Sequence, residues 1–197
     1  MASCPYVSRG GLKLAAALEA FQLDVTGATC ADLGCNVGGF TDCLLQRGAG
    51  KVYAVDTGYG AFAWKLRQDP RVVVLERTNA VHFDPSTLNG FAGCDLVTLD
   101  LGWTRQRHAI PAALRWAAAK STARIITLIK PHYEAERSLL KQGVLSDEDA
   151  VEVCEQVLAD MPPLGVNVLA HIPSPIRGGA GKGKAGNTEY LALLAIQ

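Results

Sequence analysis

The sequence predicts an α/β domain with a mostly parallel sheet and helices on both faces, and three observations carry that prediction. Short strand-like apolar runs recur along the 197 residues with helical stretches between them. The first run leads into a glycine-rich turn, Ala31-Asp32-Leu33-Gly34-Cys35-Asn36-Val37-Gly38-Gly39-Phe40, which opens a helical segment. The second run ends in an acid, Asp56. A strand, a glycine turn, a helix and a carboxylate on the next strand make a nucleotide pocket, because glycines admit the backbone to the ligand and the acid can hold a ribose hydroxyl pair.

Taken in order, Ser8 is positioned to cap a first helix reaching Phe21, with Leu12, Leu14, Ala15, Leu18 and Phe21 as its apolar positions. Gly10 and Gly11 are poor helix formers in its first turn and make sense where the backbone passes close to something. Strands are expected at 29–33, 52–56, 71–75, 95–100 and 125–129, with helices at 40–47, 62–68, 108–119 and 147–160. Two last strands follow at 166–171 and 189–195. Ligands collect at the carboxyl ends of such strands. The expected organisation is one domain over 1–197, in which a helix at 8–22 carrying Lys13 precedes a core at 28–197.

Composition narrows the classes. Hydrophobic residues make up 49% of the chain, yet no apolar run reaches the roughly 18 residues of a membrane span. The N-terminus lacks a basic region followed by an apolar stretch, so no signal peptide and a cytoplasmic location are expected. Nineteen basic and nineteen acidic residues balance, which leaves any RNA binding to a local basic patch. The six cysteines, at 4, 30, 35, 43, 94 and 154, show no C-x-x-C spacing. They are expected to be free thiols, with no metal site and no disulfide framework. The glycine-rich segment 178–186 matches the first part of a P-loop, Gly178-x4-Gly183-Lys184. Ala185, however, replaces the magnesium-binding hydroxyl, and a strand follows instead of a helix. A surface loop and a loop that closes over RNA phosphates remain its two readings.

The first turn points away from dinucleotides. It lacks G-x-G-x-x-G, and Asp32 just before it is a poor neighbour for a pyrophosphate. An acid there suits a cation, and S-adenosylmethionine carries a sulfonium and an amino group. Asp32 and Asp56 are therefore the expected donor-site acids, with Gly34, Gly38, Gly39 and Phe40 giving close access and Asp100 closing a later strand. Asn79, after the third strand, fits either an adenine contact or a turn.

Further stretches carry a resemblance. Tyr6-Val7-Ser8-Arg9-Gly10-Gly11-Leu12-Lys13-Leu14, Gly48-Ala49 before Val52-Tyr53-Ala54-Val55-Asp56, and Leu128-Ile129-Lys130-Pro131-His132-Tyr133-Glu134 occur in order with the glycine turn. Together they resemble the TlyA (hemolysin A-like) branch of the FtsJ/RrmJ-type ribose 2′-O-methyltransferases, from about Tyr6 to the C-terminus. The resemblance implies a Rossmann-like methyltransferase sheet ending in an antiparallel hairpin, S-adenosylmethionine as donor, and RNA, ribosomal by preference, as acceptor. It also implies a Lys-Asp-Lys-Glu set, which falls on Lys13, Asp100, Lys130 and Glu189 in this sequence. In that set Lys130 is the candidate general base for the ribose hydroxyl, since burial, Lys13 and a sulfonium would all disfavour its charged form. Asp100 and Glu189 pull the other way and would orient both amines. Glu134 is either a substrate contact or a helix cap.

The branch usually carries an N-terminal S4 RNA-binding module that has no counterpart in this sequence. RNA affinity is then expected from local residues, from oligomerisation or from an RNA-binding partner. Arg9, Arg105, Arg107, Arg177, Lys182 and Lys184 are the candidate patch. Where the family reads Asp-Val-Ser-Phe and Lys-Pro-Gln-Phe-Glu, this chain has Asp100-Leu101-Gly102-Trp103 and Lys130-Pro131-His132-Tyr133-Glu134. Trp103 and Tyr133 are thus candidates for stacking on a base, or for the core. The competing readings are a non-catalytic RNA-binding or ribosome-assembly factor, a methyltransferase for a base or a small molecule, and, from the hemolysin label, a membrane-active protein.

Overall fold

Alternation of side chains along each strand decides the architecture. Ala31, Leu33, Tyr53, Val55, Val97, Leu99, Ile125 and Ile129 belong to one buried cluster, while Cys30, Val52, Ala54, Leu96, Ile126 and Leu128 belong to another. Strands buried on both faces need a helical layer on each side. The computed structural model, which describes residues 4–117, 120–179 and 186–197, supplies both layers. In chain order the elements are α1 (Gly10–Ala20), β1 (Thr29–Leu33), α2 (Gly39–Gln46), β2 (Lys51–Val55), α3 (Trp64–Arg67), β3 (Val72–Leu75) and β4 (Leu96–Leu99). There follow α4 (Gln106–Ala117), β5 (Arg124–Ile129), α5 (Pro131–Glu134), α6 (Asp147–Ala159), β6 (Val166–Pro173) and β7 (Tyr190–Ile196). Residues from α4 and α6 join the first cluster, and residues from α1 and α2 join the second.

The seven strands lie in the order β3-β2-β1-β4-β5-β7-β6. Five run parallel, and β7 pairs antiparallel with both β5 and β6. The chain order reverses between β1 and β4, so the carboxyl ends of those two strands flank the crevice where ligands of open α/β sheets bind. Because β7 runs against β5, its first residue sits opposite the last of β5: Tyr190 pairs with Ile129. That register brings Glu189 beside Lys130. A bulge between Val168 and Ala170 leaves Leu169 half exposed on β6.

Predicted strands and helices are all present, with ends moved by one or two residues; positions 118–119 of the predicted fourth helix lie outside the described residues. The short α5 and three 3-10 turns (Pro85–Thr87, Arg137–Leu139, Pro162–Leu164) had no periodicity to betray them. Ser8 does not cap α1. The N-cap position is Arg9, without a side-chain cap bond, and Ser8 Oγ is instead wedged against Gly39 where α1 crosses α2. A Cβ on Gly39 would collide with that hydroxyl and stand 2.9 Å from the Gly11 nitrogen, which is the close approach that the glycines of the first turn implied. Trp116 is wholly buried, with Tyr53, Phe83 and Phe91 rings 5.5, 5.9 and 5.6 Å away. Five cysteines are buried free thiols and Cys4 is exposed.

Candidate active site

Three strand ends and one helix deliver the four charged residues. Asp100 follows β4, Lys130 follows β5, Glu189 precedes β7, and Lys13 projects from the second turn of α1. They form two ion pairs. Lys130 Nζ lies 2.5 Å from Asp100 Oδ1 and also donates to the Leu101 carbonyl at 3.1 Å. Lys13 Nζ lies 2.5 Å from Glu189 Oε2. Side-chain exposure falls from 25% at Asp100 to 3% at Glu189. Burial holds the Glu189 carboxyl above the usual carboxylate range, while Lys13 and Lys130 pull it down and Asp100 pushes it up. The four residues assigned through the resemblance are therefore one electrostatic cluster.

Two cavities meet at this cluster. The larger, about 580 Å³, is lined by Asp56, Gly58, Asn79, Trp103 and Lys130 among others. The smaller, about 250 Å³, is lined by Arg9, Lys13, Asp32, Gly39, Phe40 and Arg177 among others. Gly34, Asn36 and Asp100 line both. Gly34 adopts φ +92°, and a Cβ there would stand 2.5 Å from the Asp100 carbonyl oxygen, so only glycine lets β1 and β4 end this closely. Asp56 is fixed by two backbone donors, Asn36 N–H at 2.8 Å and Gly58 N–H at 2.7 Å. Asn79 lines the larger cavity and makes a turn as well, its carboxamide oxygen accepting from the Val81 N–H at 3.0 Å.

Other expected site residues have different surroundings. Gly38 lines neither cavity; it is the N-cap of α2 at φ +102° and faces Phe62 and Leu66. Asp32 has no exposed surface, and its Oδ2 accepts from the Thr41 N–H (2.9 Å) and hydroxyl (2.7 Å), tying β1 to the first turn of α2. Burial pushes its carboxyl up to about 7 against the pull of those bonds. Because its folded pKa exceeds the unfolded value near 3.9, Asp32 makes stability fall as pH rises from about 4 to about 7. Asp32→Asn keeps an acceptor for Thr41 and should remove that slope, about 1.4 kcal/mol per pH unit at its steepest. Thermal melts of both proteins from pH 4 to 8 would check this, and parallel curves would refute it.

Among the described residues, the candidate basic residues line two different cavities. Arg9 and Arg177 line the smaller cavity, and Arg177 pairs with Asp147 at 2.6 Å. Arg105 and Arg107 line a separate groove between α4 and α6, and Arg105 donates to the Tyr133 carbonyl at 3.2 Å. Lys182 and Lys184 lie outside the described residues. Glu134 realises its helix-cap reading: its Oε1 accepts from the Gln106 N–H at 2.6 Å, at the start of α4. Trp103 is not core; it is 89% exposed, at φ +54°, with its ring stacked on Tyr133 at 4.8 Å. Sequence reasoning gave no role to His132, whose buried Nδ1 has no hydrogen-bond partner among the described residues. Its only sequence signal was that it replaces the glutamine of the family motif. Among the described residues no acid, histidine and cysteine group is arranged to hold a metal, and no helix is long and apolar enough to cross a membrane.

Known proteins are similar to this chain over nearly its whole length. A Mycobacterium tuberculosis protein named 16S/23S rRNA (cytidine-2′-O)-methyltransferase TlyA is 40% identical over 195 residues, covering 98% of this chain and 69% of that protein. Hemolysin A of Brachyspira hyodysenteriae is 35% identical over 193 residues, covering 97% of this chain and 77% of that one. The solved structure of a Streptococcus thermophilus protein named for hemolysin superposes with a TM-score of 0.90 at 35% identity, over 100% of this chain and 69% of the other. The FtsJ-like methyltransferase family model matches residues 6–194, and the chain belongs to that family.

Proposed function

We propose that the protein transfers a methyl group from S-adenosylmethionine to a ribose 2′-hydroxyl of RNA, with ribosomal RNA or a ribosomal subunit in the cytoplasm as substrate. The observation that carries this reading is the pair of lysine–carboxylate ion pairs at the switch point of the sheet, where the two cavities meet. A ribose hydroxyl is a weak acid and has to lose its proton as it attacks, so a methyltransferase for this oxygen needs a base beside the methyl group. Methylation of a base nitrogen has no need for two lysines around a hydroxyl.

The residues present fit a cationic donor. Asp32 is a wholly buried acid at the smaller cavity whose ionised form is disfavoured by burial, and a positive group above it would relieve that cost. Asp56 and Asn79 would hold the adenosine end in the larger cavity, and Gly34, Gly39 and Phe40 would line the amino-acid end in the smaller one. When bound, S-adenosylmethionine supplies an electrophilic methyl group on a sulfonium. Asp100 and the Leu101 carbonyl fix two of the three directions around Lys130 Nζ, leaving the third for the incoming hydroxyl. To take the hydroxyl proton the Lys130 ammonium must first give one up to solvent, and the ammonium restored by the transfer is stabilised by Asp100. Glu189 holds Lys13 in the smaller cavity, where the ammonium can meet the oxygens of the acceptor nucleotide.

Radiolabelled donor offered with separate pools of both ribosomal subunits, naked ribosomal RNA and transfer RNA tests the substrate. Label is expected in a ribosomal pool, and label only in transfer RNA or in no pool would refute the reading. Asp56→Asn should weaken S-adenosylhomocysteine binding about tenfold, since a charged acceptor becomes neutral. Titration calorimetry measures this, and unchanged affinity would remove Asp56 from the donor site.

A further inference from the structure

Half of the cradle around Lys130 is a backbone atom, the Leu101 carbonyl, which accepts from Lys130 Nζ at 3.1 Å. Leu101 opens the loop 101–105 between β4 and α4. That loop has little packing of its own. A side chain at Gly102 would begin with nothing within 4 Å, and Trp103 is mostly exposed at φ +54°. A loop so open does not fix a carbonyl by itself, so the direction of Lys130 Nζ depends on what anchors its two ends.

The sheet holds the near end, where the Asp100 N–H donates to the Leu33 carbonyl at 3.0 Å. The far end is stapled to the segment that carries Lys130. Arg105 Nε donates to the Tyr133 carbonyl at 3.2 Å, and the Gln106 side chain bridges the Leu128 carbonyl (3.3 Å) and the Thr127 hydroxyl (2.7 Å). The shortest of these bonds runs from the Gln106 backbone N–H to Glu134 Oε1, at 2.6 Å. Lys130 is the N-cap of α5 and Glu134 its last residue, so base and staple share one short element. Glu134 meets the first residue of the twelve-residue α4, where unpaired N–H groups favour an acceptor with negative charge. Burial pushes its carboxyl above the usual range, against the pull of the Gln106 N–H and of Arg105, Arg107 and His108. Among the described residues it makes no ion pair, and its charge is directed at that backbone N–H.

Resting on the proposed role of Lys130 as the base, we propose that Glu134 is a positioning residue for methyl transfer: by holding the N-terminus of α4 it fixes loop 101–105, and through the Leu101 carbonyl it sets the direction in which Lys130 Nζ faces the acceptor hydroxyl. Glu134 touches neither donor nor acceptor. It lines neither of the two cavities that meet at the ion pairs and borders the groove between α4 and α6 instead. Its effect therefore falls on the rate of the chemical step and not on binding. A displacement of about 1 Å at a reacting group can cost roughly 10²-fold, so a small shift of the loop is enough.

The test compares Glu134→Asp and Glu134→Gln with wild type, as full chains acting on isolated ribosomal subunits at saturating donor. Aspartate keeps the charge but draws the acceptor back by one methylene, whereas glutamine keeps an oxygen at full reach. Glu134→Asp should lower kcat about tenfold, and Glu134→Gln should stay within about threefold of wild type. The KM for the subunit and the affinity for S-adenosylhomocysteine should be unchanged in both. Position is read separately by fluorine NMR of protein labelled with 5-fluorotryptophan. The Trp103 resonance, identified with Trp103→Phe, should move in Glu134→Asp, while that of Trp116, in the core, should not. A wild-type kcat in Glu134→Asp, a loss carried by KM, or a glutamine variant slower than the aspartate one would overturn the proposal. So would a Trp103 resonance that stays in place while kcat falls, or a Trp116 resonance that moves with it, since the loss would then come from elsewhere or from the fold. Failure of the underlying reading looks different: wild type would then leave ribose unmethylated, or Lys130→Arg would keep the wild-type rate.

Discussion

Lys130→Ala is expected to lower methyl transfer by roughly 10²–10⁴-fold, the range general base catalysis contributes, while donor binding survives. The side chain is anchored by Asp100 and the Leu101 carbonyl, so its removal takes away the proton acceptor without opening the hydrophobic core. Asp100 keeps partial solvent contact and can be hydrated in the variant. Lys130→Arg separates two roles. A guanidinium retains the positive charge and the pairing with Asp100 but does not deprotonate near neutral pH. If Lys130 is the base, the arginine variant should be as inactive as the alanine one. If it retains most of the wild-type rate, Lys130 acts through its charge alone. Single-turnover rates with donor saturated, beside calorimetric donor affinity, distinguish these outcomes.

Lys13→Met carries the largest expected effect on stability. Glu189 is almost fully buried and its ammonium partner is nearly as enclosed, so removing one member leaves a carboxylate with no compensating charge nearer than Lys130. Breaking a buried pair in this way costs about 3–5 kcal/mol. The pH dependence gives the signature. Without Lys13 the Glu189 carboxyl, already raised by burial, rises further above its unfolded value. The folded variant then holds a proton that the unfolded chain releases, and its stability falls as pH increases above the ordinary glutamate range near 4.3. Adding Glu189→Gln to Lys13→Met should restore much of the stability and flatten that slope, without restoring activity. Denaturant titrations at pH 5 and 8 measure both effects. A single variant as stable as wild type at pH 8 would show that the pair does not hold the site together.

The sequence made the sheet legible because short apolar runs, as expected of strands buried on both faces, and strand-end acids are local patterns. Asp56, Asp100, Lys130 and Glu189 each sit one residue outside a strand, where a parallel sheet delivers its ligands. Lys13 needed the resemblance, since nothing local ties α1 to β7. The hydrogen bonds of Asp32 were hidden for another reason: its partners are Thr41, nine residues later, and Thr98, on a neighbouring strand, so the acid ties β1 to α2 as well as lining the smaller cavity. Which arginines share a surface was not legible, because loops decide it: Arg9 and Arg177 line one cavity and Arg105 and Arg107 another, with Arg105 tied to a backbone carbonyl and Arg177 to Asp147.

The chemistry itself has one direct measurement. Ribosomal RNA modified by the wild-type protein would be digested to nucleosides and the position of the new methyl group fixed by fragment masses of base and sugar. The account predicts the added mass on the ribose, and its loss with Lys130→Ala. A methyl group on the base would contradict the assignment of Lys130, Asp100, Lys13 and Glu189 to a hydroxyl acceptor.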